Sequence, residues 1–452
     1  MTLLGLVVAA GALAGGSAPI GIWESIGYGT VWVFDGDRLA TFELTSATCV
    51  ASTGYRRHPA TEPGVLAVYR ADESIGAVAA DWIIRATSTD ARLSAHTPGT
   101  VNDVHFRPLA ELPARCRVPT PGTRAGTFEV FERTMAEHYA FFAERGMDWK
   151  ERVAEARREL ERVPNDSAFY HLLHEMLAPL EDAHTKIIAA PLGLRLPTYR
   201  RTARWLEGAE LDRVRDLAPV AYLRDSLRRL DGGRLQYGTL EGNLGYLKVT
   251  AEYGFASTGR FEDDSAAFER SLAGLMPAIA RHRGLVLDLR INGGGYDANA
   301  RLLAGALTDV AYPAMVKRAR SDPDDPSRLT EPTVVEVVPA AGARFTGPLV
   351  VLIGIRTISA GEVLGLMLLG RSPRPWLIGE PTQGVFADEL VRRLPNGWQF
   401  QLTSERYATP DGRSFEGPGL EPDLRIEVFP PGERDGRADR ALEAAIRHLR
   451  GR

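Results

Sequence analysis

Read along the chain, the hydrophobic and polar positions change period several times. From Gly21 to about Pro121 the apolar residues alternate or come in short runs. Gly29-Thr30-Val31-Trp32-Val33-Phe34 leads through Asp35-Gly36-Asp37 into Leu39-Ala40-Thr41-Phe42-Glu43-Leu44. Alternating apolar residues around an Asp-Gly turn predict a β-hairpin. Gly64–Tyr69 and Asp81–Arg85 continue the pattern, which predicts a small all-β domain over residues 19–121. Val118-Pro119-Thr120-Pro121-Gly122-Thr123 reads as a linker. Helical spacing then takes over. Phe128, Phe131, Met135, Tyr139 and Phe142 mark a first helix, with others over Trp149–Arg162 and Ala168–Leu180.

From Leu240 the pattern becomes α/β. Gly245–Val249, Gly284–Arg290 and Pro348–Gly354 read as strands, the last two as continuous apolar runs covered on both faces. Asp264–His282, Asp297–Thr308 and Ser359–Leu369 read as the helices between and after them. A last helix, Arg437–Leu449, sets Ala438, Leu442, Ala445, Ile446 and Leu449 on one face. Arg318–Pro326 reads as a mobile loop. The divisions are therefore a leading segment 1–18, a β domain 19–121, a helical region 126–239, an α/β core 240–430 and a terminal helix 431–452.

Composition changes the picture little. The 452 residues are 44% hydrophobic and 25% charged, which is globular composition. A net charge of -4 argues against a nucleic-acid partner, which needs clustered positive charge. The apolar start, ending in Gly16-Ser17-Ala18, reads as a secretory signal with a cleavage site, although it lacks a basic leading segment. This points to a secreted or cell-envelope protein and leaves a cytoplasmic one open. No other segment is apolar and long enough for stable membrane insertion. Beside such a signal, Cys49 and Cys116 are a disulfide candidate; two buried free thiols are the alternative.

Chemistry concentrates in four places. Asn292-Gly293-Gly294-Gly295 follows a buried strand, and its amides can hold a developing oxyanion. It fits neither nucleotide-loop motif. Ser359, in Arg356-Thr357-Ile358-Ser359-Ala360-Gly361-Glu362, sits where a strand gives way to a helix. It is a candidate nucleophile with the Ala360 amide as oxyanion donor, or simply an N-cap. His184 follows Leu180-Glu181-Asp182-Ala183 and is a candidate base. Glu416 lies among turn residues and could orient a base. His174-Glu175 lacks the second His of a zinc-protease motif, so neither metal nor cofactor is expected.

Together these segments resemble the C-terminal processing (tail-specific) serine peptidases and their tricorn-like and retinoid-binding relatives. Leu180–Thr185 is similar to L-x-D-x-H-[ST], and Leu287–Gly295 to L-D-[LV]-R-x-N-x-G-G. Arg356–Glu362 is similar to R-T-x-S-A-x-E, and Tyr407–Asp423 to Y-x-T-P-D-G-R-x-x-E-G-x-G-[IL]-x-P-D. The match runs over about residues 128–450, roughly 70% of the chain, with the motifs in the family's order. The resemblance implies a crotonase-like (ClpP-like) spiral α/β core and a peptide or protein substrate. It implies Ser359 as nucleophile, His184 as general base, Glu416 supporting the His side, and Gly294 and Ala360 as oxyanion donors. Asp182 and Asn292 would support them.

Two departures shape the reading. The processing branch uses a Lys about 25 residues after the Ser, where this chain has Gly384-Val385; no Lys follows Lys317. The tricorn branch places a Ser before its His, where this chain has Ala183. The stretch Ala189–Leu240 is too short for the PDZ domain of the processing enzymes. A lipid- or peptide-binding protein on the same fold, or an esterase or amidase using the same Ser, are the rival readings. A homo-oligomer is left open.

Overall fold

The computed structural model describes residues 19–59, 65–71, 82–86, 92–199, 206–217, 220–224, 227–435 and 437–451. The leader expected over 1–18 lies outside them. The chain divides into two compact units.

The first unit comprises the chain up to Tyr199, with Arg318–Pro332 and Asp388–Arg406. Its N-terminal part is a closed barrel of eight strands, from Ile20–Ser25 to Asp103–Leu109. Each strand pairs antiparallel with the next, and the first closes on the last, Trp23 opposite Pro108. Closure removes the free edges that an open sheet would present. The Asp-Gly hairpin forms as the pattern predicts: Phe34 pairs with Leu39, Gly36 takes φ 92°, and Asp35 accepts the Arg38 N–H at 2.7 Å. Trp23, Phe34, Tyr69, Ile84 and Phe106 fill one part of the interior. A disulfide joins Cys49 to Cys116, Cα–Cα 5.0 Å.

Three helices follow, Arg124–His138, Trp149–Leu160 and Asp166–Leu177. Thr123, Asp148 and Asn165 cap them, each side chain accepting an amide of the first turn. The first helix ends at His138, earlier than the aromatic spacing suggests. Phe142 instead turns back to stack on Trp149 at 5.3 Å. The expected mobile loop begins differently too. A strand runs through Ala319, and buried Arg320 donates to the carbonyls of Ala136 and Tyr139 at 2.7 and 3.1 Å. A small sheet joins Glu389–Arg393, Gln399–Thr403 and Lys186–Ile188 in that order.

The second unit is built on a seven-stranded sheet. Its order is Arg228–Leu230, Leu235–Leu240, Leu244–Val249, Gly284–Asp288, Leu349–Ile353, Trp376–Gly379 and Leu424–Arg425. The first three strands run antiparallel and the rest are parallel, so the sheet is mixed. Gly284–Asp288 and Leu349–Ile353 are buried at every position, as their unbroken apolar runs require. Helices Phe261–Ile279, Asp297–Ala306, Ala360–Leu368 and Arg440–Arg450 accompany it. Among its described residues, the stretch before the sheet, expected to be helical, contains one short α-helix, Gly208–Asp216, and then strands. Lys248 caps that helix from the sheet, its ammonium held by the carbonyls of Val214, Arg215 and Leu217.

Candidate active site

In the second unit, the strand Leu349–Ile353 ends in a turn that is pinned on all sides. The Thr357 hydroxyl donates to the Leu289 carbonyl at 2.8 Å, and the Ile358 N–H to the Asn292 carbonyl at 2.9 Å. The Ser359 N–H donates to the Glu362 carboxyl at 3.2 Å, and the Ser359 carbonyl receives the Glu362 and Val363 amides. Ser359 is thereby held at φ 56°, ψ -127°, partly exposed. Ser359 is the N-cap of the helix Ala360–Leu368, with Glu362 at its third position in a capping-box arrangement, yet it departs from the extended angles usual at an N-cap. A side chain at positive φ costs energy, so the hydrogen bonds of this turn hold Ser359 in a conformation it would not adopt alone. Next to it, Ala360 opens the helix, so its N–H has no intrahelical acceptor.

The glycine run is packed against this turn. A Cβ on Gly294 would lie 2.7 Å from the Ser359 Cβ and 3.2 Å from the Ala360 nitrogen. Gly294 has φ 88° and Gly295 φ 152°, angles that side chains rarely adopt. Asn292 organises the loop from beneath. Its Oδ1 accepts the Gly294 N–H at 2.9 Å, and its amide donates to the Val249 carbonyl and to Glu252 at 2.6 Å. The Gly294 amide, expected as an oxyanion donor, is thus already engaged by Asn292. The structure brings Ser359, Ala360, Gly294 and Asn292 together.

Three buried carboxyls, Glu362, Glu416 and Glu252, complete this half. Burial pushes Glu362 up to about 7, against hydrogen bonds from Thr382 and the amides of Val385, Gly384 and Ser359. Val385 stands where the processing enzymes have lysine, and here only its backbone is used, donating to Glu362 at 2.9 Å. Glu416 accepts the Phe386 and Ala387 amides at 2.9 and 3.4 Å and so fixes the next two residues. Glu252 was not singled out by any motif. It is fully buried beneath the glycine loop, and burial pushes its carboxyl up to about 7, partly offset by the Asn292 hydrogen bond. Nothing in the local sequence around Glu252 announces this; only the fold places it under Asn292.

His184 and Asp182 belong to the first unit. Asp182 is the buried anchor of their loop. It accepts the His184 backbone N–H at 2.9 Å and the hydroxyls of Thr185 and Thr403 at 2.8 and 2.7 Å. Burial works to raise its carboxyl, but Arg145, His184 and the two hydroxyls hold it below the ordinary value. Asp182 therefore supports the His184 backbone and the loop. Lys186 extends the brace, its ammonium donating to the Ala183 carbonyl at 2.9 Å and pairing with Glu389.

A partly exposed serine at a pinned strand-to-helix turn, beside a glycine loop and a helix-start amide, gives this α/β protein a candidate serine site. The comparisons with known proteins add family matches. The peptidase family S41 model matches residues 243–426, and the tricorn protease C1 domain model matches residues 122–178. The chain thus carries a peptidase family S41 domain and a tricorn protease C1 domain, and its relatives include C-terminal processing peptidases. The chloroplastic C-terminal processing peptidase of Tetradesmus obliquus is 30% identical over 197 residues, 43% of this chain and 38% of its own. A carboxy-terminal-processing protease of Bartonella bacilliformis is 26% identical over 214 residues, 47% of this chain and 46% of its own. The chain thus spans less than half the length of these curated relatives. A peptidase candidate from Parabacteroides merdae shares the fold with TM-score 0.60 and 22% identity, over 72% of this chain and 96% of its own. Mature CPAF complexed with lactacystin does so with TM-score 0.54 and 12% identity, over 72% and 99%. The barrel strands, Ile20 to Leu109, lie outside both matched family ranges.

Proposed function

We propose that this protein is a serine peptidase that cleaves peptide bonds in a peptide or protein substrate through an acyl-enzyme. The observation that carries the reading is Ser359, held at positive φ beside the open Ala360 amide. Ser359 attacks the carbonyl, and His184 takes its proton and returns it to the leaving amine. The Ala360 N–H receives the oxyanion. Gly294 supplies the second donor when the substrate oxygen replaces Asn292 as its acceptor. Glu416 supports the His side of the site, and Asp182 and Asn292 hold the two loops. Without a lysine after Lys317, the general base comes from His184.

The crotonase-like spiral is our reading of the core. The Cys49–Cys116 bond supports a secreted or envelope location, because such bonds persist in oxidising compartments. No helix among the described residues is long and apolar enough to cross a membrane.

The test is hydrolysis of casein by the wild type, Ser359→Ala and His184→Ala, with folding checked by circular dichroism. Cleavage should fall by about three orders of magnitude or more in both variants. Activity surviving in Ser359→Ala would remove the nucleophile assignment. Hydrolysis of small esters without any peptide cleavage would move the protein to the esterase reading.

A further inference from the structure

An eight-stranded barrel is just wide enough for side chains to fill it, or to leave room for one small ligand. Here the filling is incomplete. A cavity of about 360 Å³ lies in the barrel, in the size range of small-molecule sites. Small hydroxyl side chains, Thr30, Thr41, Ser52 and Thr53, line it where bulkier residues would close it. One part of the wall is aromatic: Trp32, Tyr55, Trp82 and Phe106. The strand Glu389–Arg393 and the preceding Asp388 supply another part. A second hollow of about 130 Å³ shares Tyr28, Thr97, Asp388 and Glu389 with the first and adds Glu405.

The charges in the wall are unequal. The main cavity has the carboxyls of Glu43, Asp388 and Glu389 in its wall against one guanidinium, Arg392, although Lys186 already pairs with Glu389 and burial pushes Glu43 up from its ordinary value. Arg392 donates to the Tyr28 and Val391 carbonyls, and its charge faces half-buried Glu43. Glu43 in turn holds the Ser52 hydroxyl at 2.5 Å and the Arg393 amide at 2.6 Å. An anionic ligand would meet the carboxylates, whereas a cation gains both them and the aromatic faces.

We infer that the barrel is a binding site for a small organic cation, a protonated amine carried on a flat apolar body. The apolar body lies against Trp82 and Phe106, and the ammonium lies at Asp388 and Glu389. Glu389 is also the partner of Lys186, whose ammonium holds the Ala183 carbonyl next to His184. A bound ammonium competes with Lys186 for Glu389. Occupancy of the barrel therefore loosens the brace on the His184 loop. Binding itself does not depend on the peptidase reading; a consequence for turnover would rest on it.

The test uses the full chain and isothermal calorimetry with phenethylamine, phenethyl alcohol and phenylacetate at neutral pH. The amine should bind saturably. The alcohol should bind about tenfold more weakly, and the carboxylate should give no heat. Asp388→Asn and Trp82→Ala should each weaken the amine about tenfold. Equal affinity for all three compounds, or no saturable amine heat at millimolar concentration, overturns the site. So does unchanged affinity in both variants. Hydrogen exchange reads the coupling. The amine should speed exchange at amides 183–186 in the wild type but not in Lys186→Met, which still binds it. Binding without that change overturns the coupling and leaves the site.

Discussion

Gly294 packs so closely on Ser359 that it leaves no room for a side chain of its own. Alanine at Gly294 would need φ 88° and would put its Cβ 2.7 Å from that of Ser359 and 2.9 Å from the Ile358 carbonyl. Gly294→Ala should lose casein turnover by about a hundredfold, the cost of displacing an oxyanion donor. A thermal melt should show a smaller, separate loss of stability. Glu252 makes a pH prediction of the opposite kind. Its folded value, about 7, stands above the ordinary 4.5, so the neutral form is favoured in the folded state. Its contribution is complete below pH 4.5 and is lost as pH rises through 7. Glu252→Gln cannot ionise. Its stability relative to the wild type should therefore rise between pH 4.5 and 8, by up to about 3 kcal/mol, in denaturant titrations at each pH.

Among the elements, the terminal helix Arg440–Arg450 shows how a motif residue can serve the fold. Arg290, from the stretch that carries the glycine loop, is 2% exposed and pairs with Asp288 and Asp439. Asp439 also caps the helix through the Leu442 amide at 2.9 Å, and Phe429 lies 4.3 Å from the guanidinium. The helix buries Ala441, Leu442, Ala445 and Leu449, close to the face expected from its spacing. Removing Arg290 leaves buried carboxylates unpaired. Arg290→Met should cost about 3–5 kcal/mol, read as a shifted urea midpoint. Asp288, held down at about 2 chiefly by Arg290 against the opposing effect of burial, carries the matching acid dependence. Its stabilisation is present above pH 3.8 and lost as pH falls towards 2. The Cys49–Cys116 bond spans 67 residues and ties the start of the barrel's fourth strand, Cys49–His58, to the chain leaving the barrel. Replacing both by Ser should cost about 4 kcal/mol in chain entropy, measured by denaturant unfolding followed through the barrel tryptophans.

Across the first unit, the barrel is bonded into its surroundings. The Ser46 amide and hydroxyl donate to Glu137 on the first helix, Tyr28 donates to Glu405 at 2.5 Å, and Arg393 donates to Glu43. Deleting residues 19–121 would leave buried groups such as Glu137, Arg392 and Glu405 without these partners. We expect the truncated chain to become sensitive to limited proteolysis between residues 124 and 199, where the intact chain resists. Equal resistance would show that the helices stand without the barrel.

How much was legible follows from the range of the forces involved. The Asp35-Gly36-Asp37 hairpin, the buried strands and the amphipathic last helix depend on near neighbours, and alternation, turn chemistry and helical spacing record them directly. The meeting of Ser359, Gly294 and Asn292 was visible because each stands in a short motif at the end of a buried strand. Barrel closure was not visible, since pairing the first strand with the eighth is a long-range contact with no local signature. Glu252 was hidden for the same reason: its environment is assembled from Asn292, Asn299 and the glycine loop, some forty residues away. The barrel cavity is the clearest case. Thr30, Ser52, Trp82 and Asp388 are unremarkable where they stand in the sequence, and only tertiary packing puts them around one space. The sequence by itself determined most of the elements and the residue types gathered at the serine turn. The tertiary structure decided which buried carboxyls stand beneath that turn and which residues enclose the cavity, because burial and charge depend on neighbours that the chain brings together only on folding.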